Sequence, residues 1–307
     1  MSNKKNLPII FFHKSNSWYL KYTLKQARFY HPDAEIYLLG DESNSHYKFV
    51  THINISKYEE ITQKFRNLYH HRNNSTLYEY ELFCFLRWFY ILGFVQENNL
   101  EKFIYLDSDV LVFENFENIR SLFDSFSIAN TGKTVGMPAF TFFGSQKSIE
   151  NFCMYMNNSF TDQFLTERLS AWWGRFKADD RIGGICDMTL FDLFFKDYPN
   201  NLGKLDKIGL IGFDSSISTF MDYEEKNNIK NIYWKNKKPY FRHLISGELI
   251  RFVDIHYQGD SKKFIPSHYQ AGGLGISRWK DILKINYFNY LKINFLKIRN
   301  YLKQFFM

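Results

Sequence analysis

Short runs of branched and aromatic residues, too brief for buried helices, alternate along this chain with longer stretches of helical period. Residues 7–12 form the first such run and predict a buried strand; a polar turn follows, then a helix over 18–30. After His31-Pro32-Asp33, residues 35–39 predict a second strand. Strand, helix, strand is the opening of a parallel sheet, whose neighbouring strands need a crossover between them. Helical period returns over 77–96, and 102–106 is a buried strand running straight into Asp107-Ser108-Asp109. A strand over 135–143 and helices over 148–157 and 187–195 follow. Residues 233–257 hold alternating runs broken by a lysine-rich turn at 235–238, the pattern of an antiparallel hairpin.

No internal repeat and no Gly-, Ser- or Pro-rich linker interrupts this order, so the chain reads as one compact α/β domain over residues 1–278. Residues 279–307 form a basic, aromatic tail. From Ile282 to Met307 there is no acidic residue, while Lys284, Lys292, Lys297, Arg299 and Lys303 alternate with apolar side chains. Its apolar positions fall on no single helical stripe, which leaves a packed terminal helix and an interfacial membrane anchor both open.

Composition narrows the field. Hydrophobic residues make up 45% and charged residues 23% of 307, enough for a large core and too little charge for general disorder. Lys+Arg 39 against Asp+Glu 32 gives +7, a balance that favours anionic partners such as nucleotide phosphates or an anionic membrane surface. No nucleic-acid-binding motif accompanies that charge, so nucleic acid is not expected as a partner. Cys84, Cys153 and Cys186 are too scattered for a disulfide framework or a zinc site and read as reduced core thiols. The first residues lack the pattern of a signal peptide, and the longest apolar stretch, 82–95, contains Arg87. The expected location is cytoplasmic, with the tail allowing peripheral contact with the inner face of a membrane.

The chemistry concentrates in two places. Asp107 and Asp109 stand two apart at the carboxyl end of a predicted strand, the edge at which open α/β sheets bind ligands. A carboxylate pair there suits a hard divalent cation shared with substrate phosphates; a plain turn with capping aspartates has the same sequence. The second place is His256-x-x-Gly259-x-x-Lys262. A neutral imidazole can complete the coordination of a metal already held by carboxylates, a glycine lets backbone approach a diphosphate, and a lysine neutralises phosphate charge. Gly259-Asp260 is also an ordinary turn sequence.

Together these two motifs resemble glycosyltransferase family 8, retaining enzymes of the GT-A fold that include lipopolysaccharide galactosyltransferases. Tyr19-Leu20 and the His31–Ile36 segment are similar to the family's first helix and second strand, so the resemblance spreads over most of residues 7–263. It implies a GT-A nucleotide-diphospho-sugar transferase fold: a central, mostly parallel, twisted sheet flanked by helices, with a small antiparallel hairpin near the C-terminus. It implies Mn²⁺ or Mg²⁺ held by Asp107, Asp109 and His256, with Ser108 between the aspartates in the donor site and Gly259 and Lys262 at the diphosphate. His13 and Ser15 stand at the base-contacting positions, and Arg87 and Asp187 where the family orients the donor sugar. The implied activity is transfer of a hexose, with retention, from a nucleotide diphosphate sugar (a UDP-sugar) to a glycan or lipid-linked glycan of a cell-surface polysaccharide.

The sequence also departs from that family. Met188 replaces a glutamine after Asp187, Lys262 is followed by Lys263-Phe264 instead of Pro-Trp, and His13 and Ser15 replace Asp and Asn. Two rival classes remain. A sugar-phosphate nucleotidyltransferase needs a glycine-rich loop after the first strand, and residues 13–18 contain no glycine. A catalytically inactive, membrane-associated glycan-binding relative is the other. Arg87 and Asp187 have plainer readings too: an arginine paired with Glu79 or Glu81, and the N-cap of a helix.

Overall fold

The computed structural model describes residues 6–132, 136–285 and 287. The first half alternates strands and helices: β1 (Ile9–Phe12), α1 (Leu20–Tyr30), β2 (Ile36–Gly40), β3 (Thr51–Asn54), α2 (Glu59–Leu68), α3 (Tyr78–Glu97), β4 (Phe103–Asp107) and β5 (Val110–Val112). Then come β6 (Ile128–Thr131), β7 (Met137–Phe143), α4 (Gln146–Asn158), α5 (Gln163–Ala178), α6 (Asp187–Asp197) and β8 (Leu202–Leu205). Short strands follow: β9 (Lys207–Ile208), β10 (Ile211–Gly212), β11 (Glu225–Lys226), β12 (Ile229–Lys230), β13 (Ile232–Lys235), β14 (Lys238–Arg242), β15 (Leu249–Phe252) and β16 (Asp254–His256).

Seven strands form the central sheet in the order β3-β2-β1-β4-β7-β6-β8, with β7 alone running against the others. The mostly parallel sheet expected from the sequence is thus present. Strands β1 and β2 are apolar throughout and β4 is apolar up to Asp107, because both faces of the sheet are covered. Successive residues alternate between two cores: Ile9, Phe11, Ile104 and Leu106 pack on one side, Ile10, Phe12, Phe103 and Tyr105 on the other. Helix α3 lies in the second core and is apolar nearly all round, since the sheet, α2 and α4 leave it little solvent.

The expected hairpin is β13–β14. Its two turn residues, Asn236 and Lys237, have φ of 49° and 62°, the left-handed pair that a tight two-residue hairpin needs. Strands β15, β10 and β9 extend it to a five-stranded sheet. The decisive connection is smaller. Strand β16 pairs antiparallel with β5, setting His256 opposite Val110 and Asp254 opposite Val112. Residues far apart in sequence thereby meet just beyond the end of β4. A last helical stretch covers residues 275–285; the part of the basic tail from 288 to 307 lies outside the described residues. Among the described residues no helix is long and apolar enough to cross a membrane.

Candidate functional site

The site grows from a two-residue turn. Asp107 ends β4, Ser108 and Asp109 turn the chain, and Val110 starts β5. The Ser108 carbonyl accepts from Thr23 Oγ1 of α1 at 2.8 Å, and the Asp109 carbonyl accepts from the Tyr257 N–H at 3.1 Å. With the backbone held on both sides, the two carboxylates face the same space. His256, buried at the end of β16, completes the group. Ligand atoms of Asp107, Asp109 and His256 all lie within 4.8 Å of one another.

The imidazole is oriented by its far nitrogen. Nδ1 donates to the Ser215 carbonyl at 2.6 Å, which turns Nε2 toward Asp109 Oδ1 at 3.2 Å and Asp107 Oδ2 at 3.8 Å. Burial alone pushes the His256 pKa down, but the Asp109 and Asp107 carboxylates outweigh it and raise it to about 9. Burial in turn pushes the Asp109 pKa up, and His256 and Lys262 more than reverse this, holding the carboxyl well below the usual range. Two carboxylate oxygens and one imidazole nitrogen with its partner nitrogen already tied to a carbonyl form a donor set that fits a hard divalent cation. Without a cation, the His256 imidazolium and the Lys262 ammonium neutralise Asp109.

Lys262 belongs to the short 3-10 segment Gly259–Phe264 and reaches Asp109 Oδ2 at 2.6 Å. Gly259 opens that segment with φ 60°, and no atom lies within 4 Å of where a side chain would start. Only the backbone conformation requires glycine there. The lysine therefore stands beside the carboxylates with an open approach next to it.

On the opposite side of Asp107 lies Arg87, from the middle of α3. Its Nη1 donates to Asp107 Oδ1 at 2.8 Å and to the Tyr105 hydroxyl at 3.0 Å, while Nε and Nη2 both reach Asp187 Oδ2. Trp88 Nε1 donates to that same oxygen at 3.0 Å, and the guanidinium lies against the Trp88 and Tyr105 rings. The plainer readings of these residues do not hold. Cys186 is the N-cap of α6, and Asp187 is its first helical residue with its side chain turned to Arg87. Glu81 instead accepts from Thr76 and Asn73. Gly184 lets this loop approach residues 72–73, where an added Cβ would meet the Arg72 carbonyl at 2.2 Å.

His13 follows β1 and contacts Ser108 Oγ through Nδ1 at 2.9 Å and Ser17 Oγ through Nε2 at 2.9 Å. Burial pushes its pKa down to about 4, so it is neutral at physiological pH. Ser15 adopts φ 72° and donates its N–H to Asp41 Oδ2 at 2.8 Å, with its carbonyl held by Asn44. The β1 loop thus lies beside the middle of the acidic turn. Met188 is half-buried next to Asp187. Tyr257 is fully buried and bonds His268, so it presents no face to a ligand; Trp172 and Trp173 pack on the second core. Cys186 is no nucleophile at neutral pH, since burial pushes its thiol up to about 11.

Sequence reasoning missed Tyr105, Trp88 and the 214–215 segment. Tyr105 was findable, because residues two apart on a strand share a face and Asp107 is two beyond it. Asp214 and Ser215 carry no sequence signal.

No family model matches the chain, and no curated protein matches it. Among solved structures it is similar to the apo form of mouse xyloside xylosyltransferase 1, with 12% identity over 66% of this chain and 85% of that one, at a TM-score of 0.44. Galactosyltransferase LgtC in complex with donor and acceptor sugar analogs shows 14% identity over 90% and 95%, at 0.43. The apo structure of the bifunctional glycosyltransferase WbbM shows 10% over 92% and 53%, at 0.49. All three are glycosyltransferases. At these identities and TM-scores the likeness carries no weight for function, which has to be read from the side chains.

Proposed function

We propose that the protein is a metal-dependent glycosyltransferase that moves a hexose from a nucleotide diphosphate sugar, a UDP-sugar in the reading from sequence, to a surface-glycan acceptor. The single observation that carries this reading is the convergence of Asp107, Asp109 and His256, with Lys262 on one flank and Arg87 on the other. Asp107, Asp109 and His256 would hold Mn²⁺ or Mg²⁺. Such a cation, when bound, supplies Lewis-acid stabilisation of diphosphate oxygens.

The chain's own groups have separable roles in this reading. Lys262 leaves Asp109 to neutralise the diphosphate as it departs, and the backbone at Gly259 gives it room. His13 and Ser15, on the loop beside Ser108, face the nucleoside. Arg87 and Asp187, locked together, orient the hexose. Retention of configuration is what the family resemblance implies, and Met188 is the site at which this chain departs from it. Stabilising charge on the leaving group is the main catalytic contribution expected from these positions.

A second partner belongs to the same reading: an anionic membrane surface, which suits a lipid-linked acceptor. Its support is the helix over residues 275–285. Polar residues tie this helix to the domain, through Tyr22 to Asp281 at 2.6 Å and Arg278 to the Pro266 carbonyl at 2.6 Å. Ile276, Trp279 and Leu283 point outward, 75%, 67% and 64% exposed, with Lys280 beside them. An outward apolar stripe with adjacent cations is the pattern of an interfacial helix.

Turnover tests the central proposal. Incubation with a panel of nucleotide sugars and Mn²⁺ is expected to release nucleoside diphosphate slowly without an acceptor, and EDTA to stop it. Unchanged release in EDTA would refute the metal role, and no turnover of any donor would favour an inert glycan-binding protein.

A further inference from the structure

Behind His256 lies a buried lysine with no place in the chemistry above. Lys230, in β12, is 3% exposed, and its ammonium sits among the rings of Tyr223, Phe241 and Phe252 at 5.4, 5.7 and 5.8 Å. It donates to Asp214 Oδ1 at 2.5 Å and to the Ser216 carbonyl at 2.9 Å. The second Asp214 oxygen accepts from the His256 backbone N–H at 3.0 Å. Between those two anchors, the Ser215 carbonyl accepts a hydrogen bond from His256 Nδ1. Ile217 adds a further link, donating its N–H to the His256 carbonyl and accepting from the Lys230 N–H at 2.8 Å.

We propose that Lys230 is the positioning residue for the His256 imidazole: through Asp214 and the Ser216 carbonyl it fixes the 214–217 segment whose Ser215 carbonyl aims Nε2 at Asp107 and Asp109. The physical reason is the scarcity of alternatives. A charged amine in an apolar box has to keep its acceptors, since water cannot replace them. Both acceptors belong to the segment that holds His256. A pair kept only for stability could equally be replaced by apolar groups, whereas this one grips the imidazole's backbone and flanks its Nδ1 acceptor. Outer-sphere partners of this kind set ring orientation and typically change metal affinity by about 10- to 100-fold when removed.

The inference rests on the metal-site reading, and the experiment separates the two. Lys230→Met alone leaves Asp214 as a buried unpaired charge and is prone to unfold, so the informative variant is Asp214→Asn/Lys230→Met. That variant removes both charges and keeps an acceptor for the His256 N–H. Circular dichroism establishes that it is folded. Two readouts follow on the full chain: the His256 Nδ1 proton by NMR in metal-free protein, and Mn²⁺ affinity by titration. We expect the proton resonance to broaden or vanish and Mn²⁺ affinity to fall by about 10- to 100-fold. A sharp, unshifted resonance with unchanged Mn²⁺ affinity would overturn the inference while leaving the metal site standing. Loss of the resonance in the variant, with no Mn²⁺ binding even by the unmodified protein, would support the positioning role and remove the metal site.

Discussion

Two ion clusters flank Asp107, and they are built on opposite principles. On one side His256 and Lys262 pair with Asp109 through groups that change charge or swing away: an imidazole can lose its proton, and a lysine sits on a flexible stem. On the other side Arg87 bridges Asp107 and Asp187 with a guanidinium that cannot deprotonate, its carbon 5.0 and 5.6 Å from the ring centroids of Trp88 and Tyr105. The first cluster is a set of counter-charges that can give way to a cation and a diphosphate. The second is permanent. Carboxylates need neutralising in an empty site as well as an occupied one, and the kind of cation used tells which partnerships are meant to break.

Asp109→Ala is expected to have the largest effect, lowering metal-dependent donor turnover by at least about 10²- to 10³-fold in a protein whose circular dichroism is unchanged. Full activity would remove Asp109 from the site. Arg87→Met should lower turnover, because it removes a group that orients the hexose, and also cost stability, because it leaves Asp187 buried without its cation. Chemical denaturation should show a loss of about 3–5 kcal/mol. Lys262→Met is the counterpart on the exchangeable side: Asp109 keeps the His256 imidazolium as a partner, so the loss of stability should be smaller than for Arg87→Met while turnover falls by about 10²-fold. Equal stability costs for the two variants would show that the two clusters are equally permanent.

Acidity sharpens the same contrast. Metal binding needs a neutral imidazole, and the metal-free His256 pKa is raised to about 9. Mn²⁺ affinity measured by titration should therefore rise about tenfold per pH unit up to that value, with one proton released per metal bound. A pH-independent affinity between 6 and 8 would exclude His256 as the titrating ligand. In the metal-free protein the raised His256 pKa contributes stability fully present below about 6.5, its unfolded value. That contribution is lost as pH rises through the folded value, so the metal-free melting temperature should fall over this window.

Much of the permanent framework could be read from the sequence. The runs at 7–12, 35–39 and 102–106 hold sheet-buried strands that are apolar from Ile9 to Phe12, Ile36 to Leu39 and Phe103 to Leu106, and helix 77–96 shifts by a single residue to Tyr78–Glu97. Edge and peripheral elements were illegible. Strand Thr51–Asn54 has no fully buried residue, and helix Gln163–Ala178 buries only Leu169 completely, so neither shows the periodicity that burial imposes. Within the site, the aspartates, His256 and Lys262 were legible because their spacing is local. Their meeting depends on β5–β16 pairing, and so does the cradle at 214–217; both are long-range facts that no local pattern encodes.

Whether Asp107, Asp109 and His256 grip one cation is decided by anomalous diffraction from crystals soaked with Mn²⁺ and a nucleoside diphosphate. One peak within ~2.0–2.3 Å of an oxygen of Asp107, an oxygen of Asp109 and Nε2 of His256 is predicted. No peak there, or a metal held by the two carboxylates with the imidazole turned away, would contradict it.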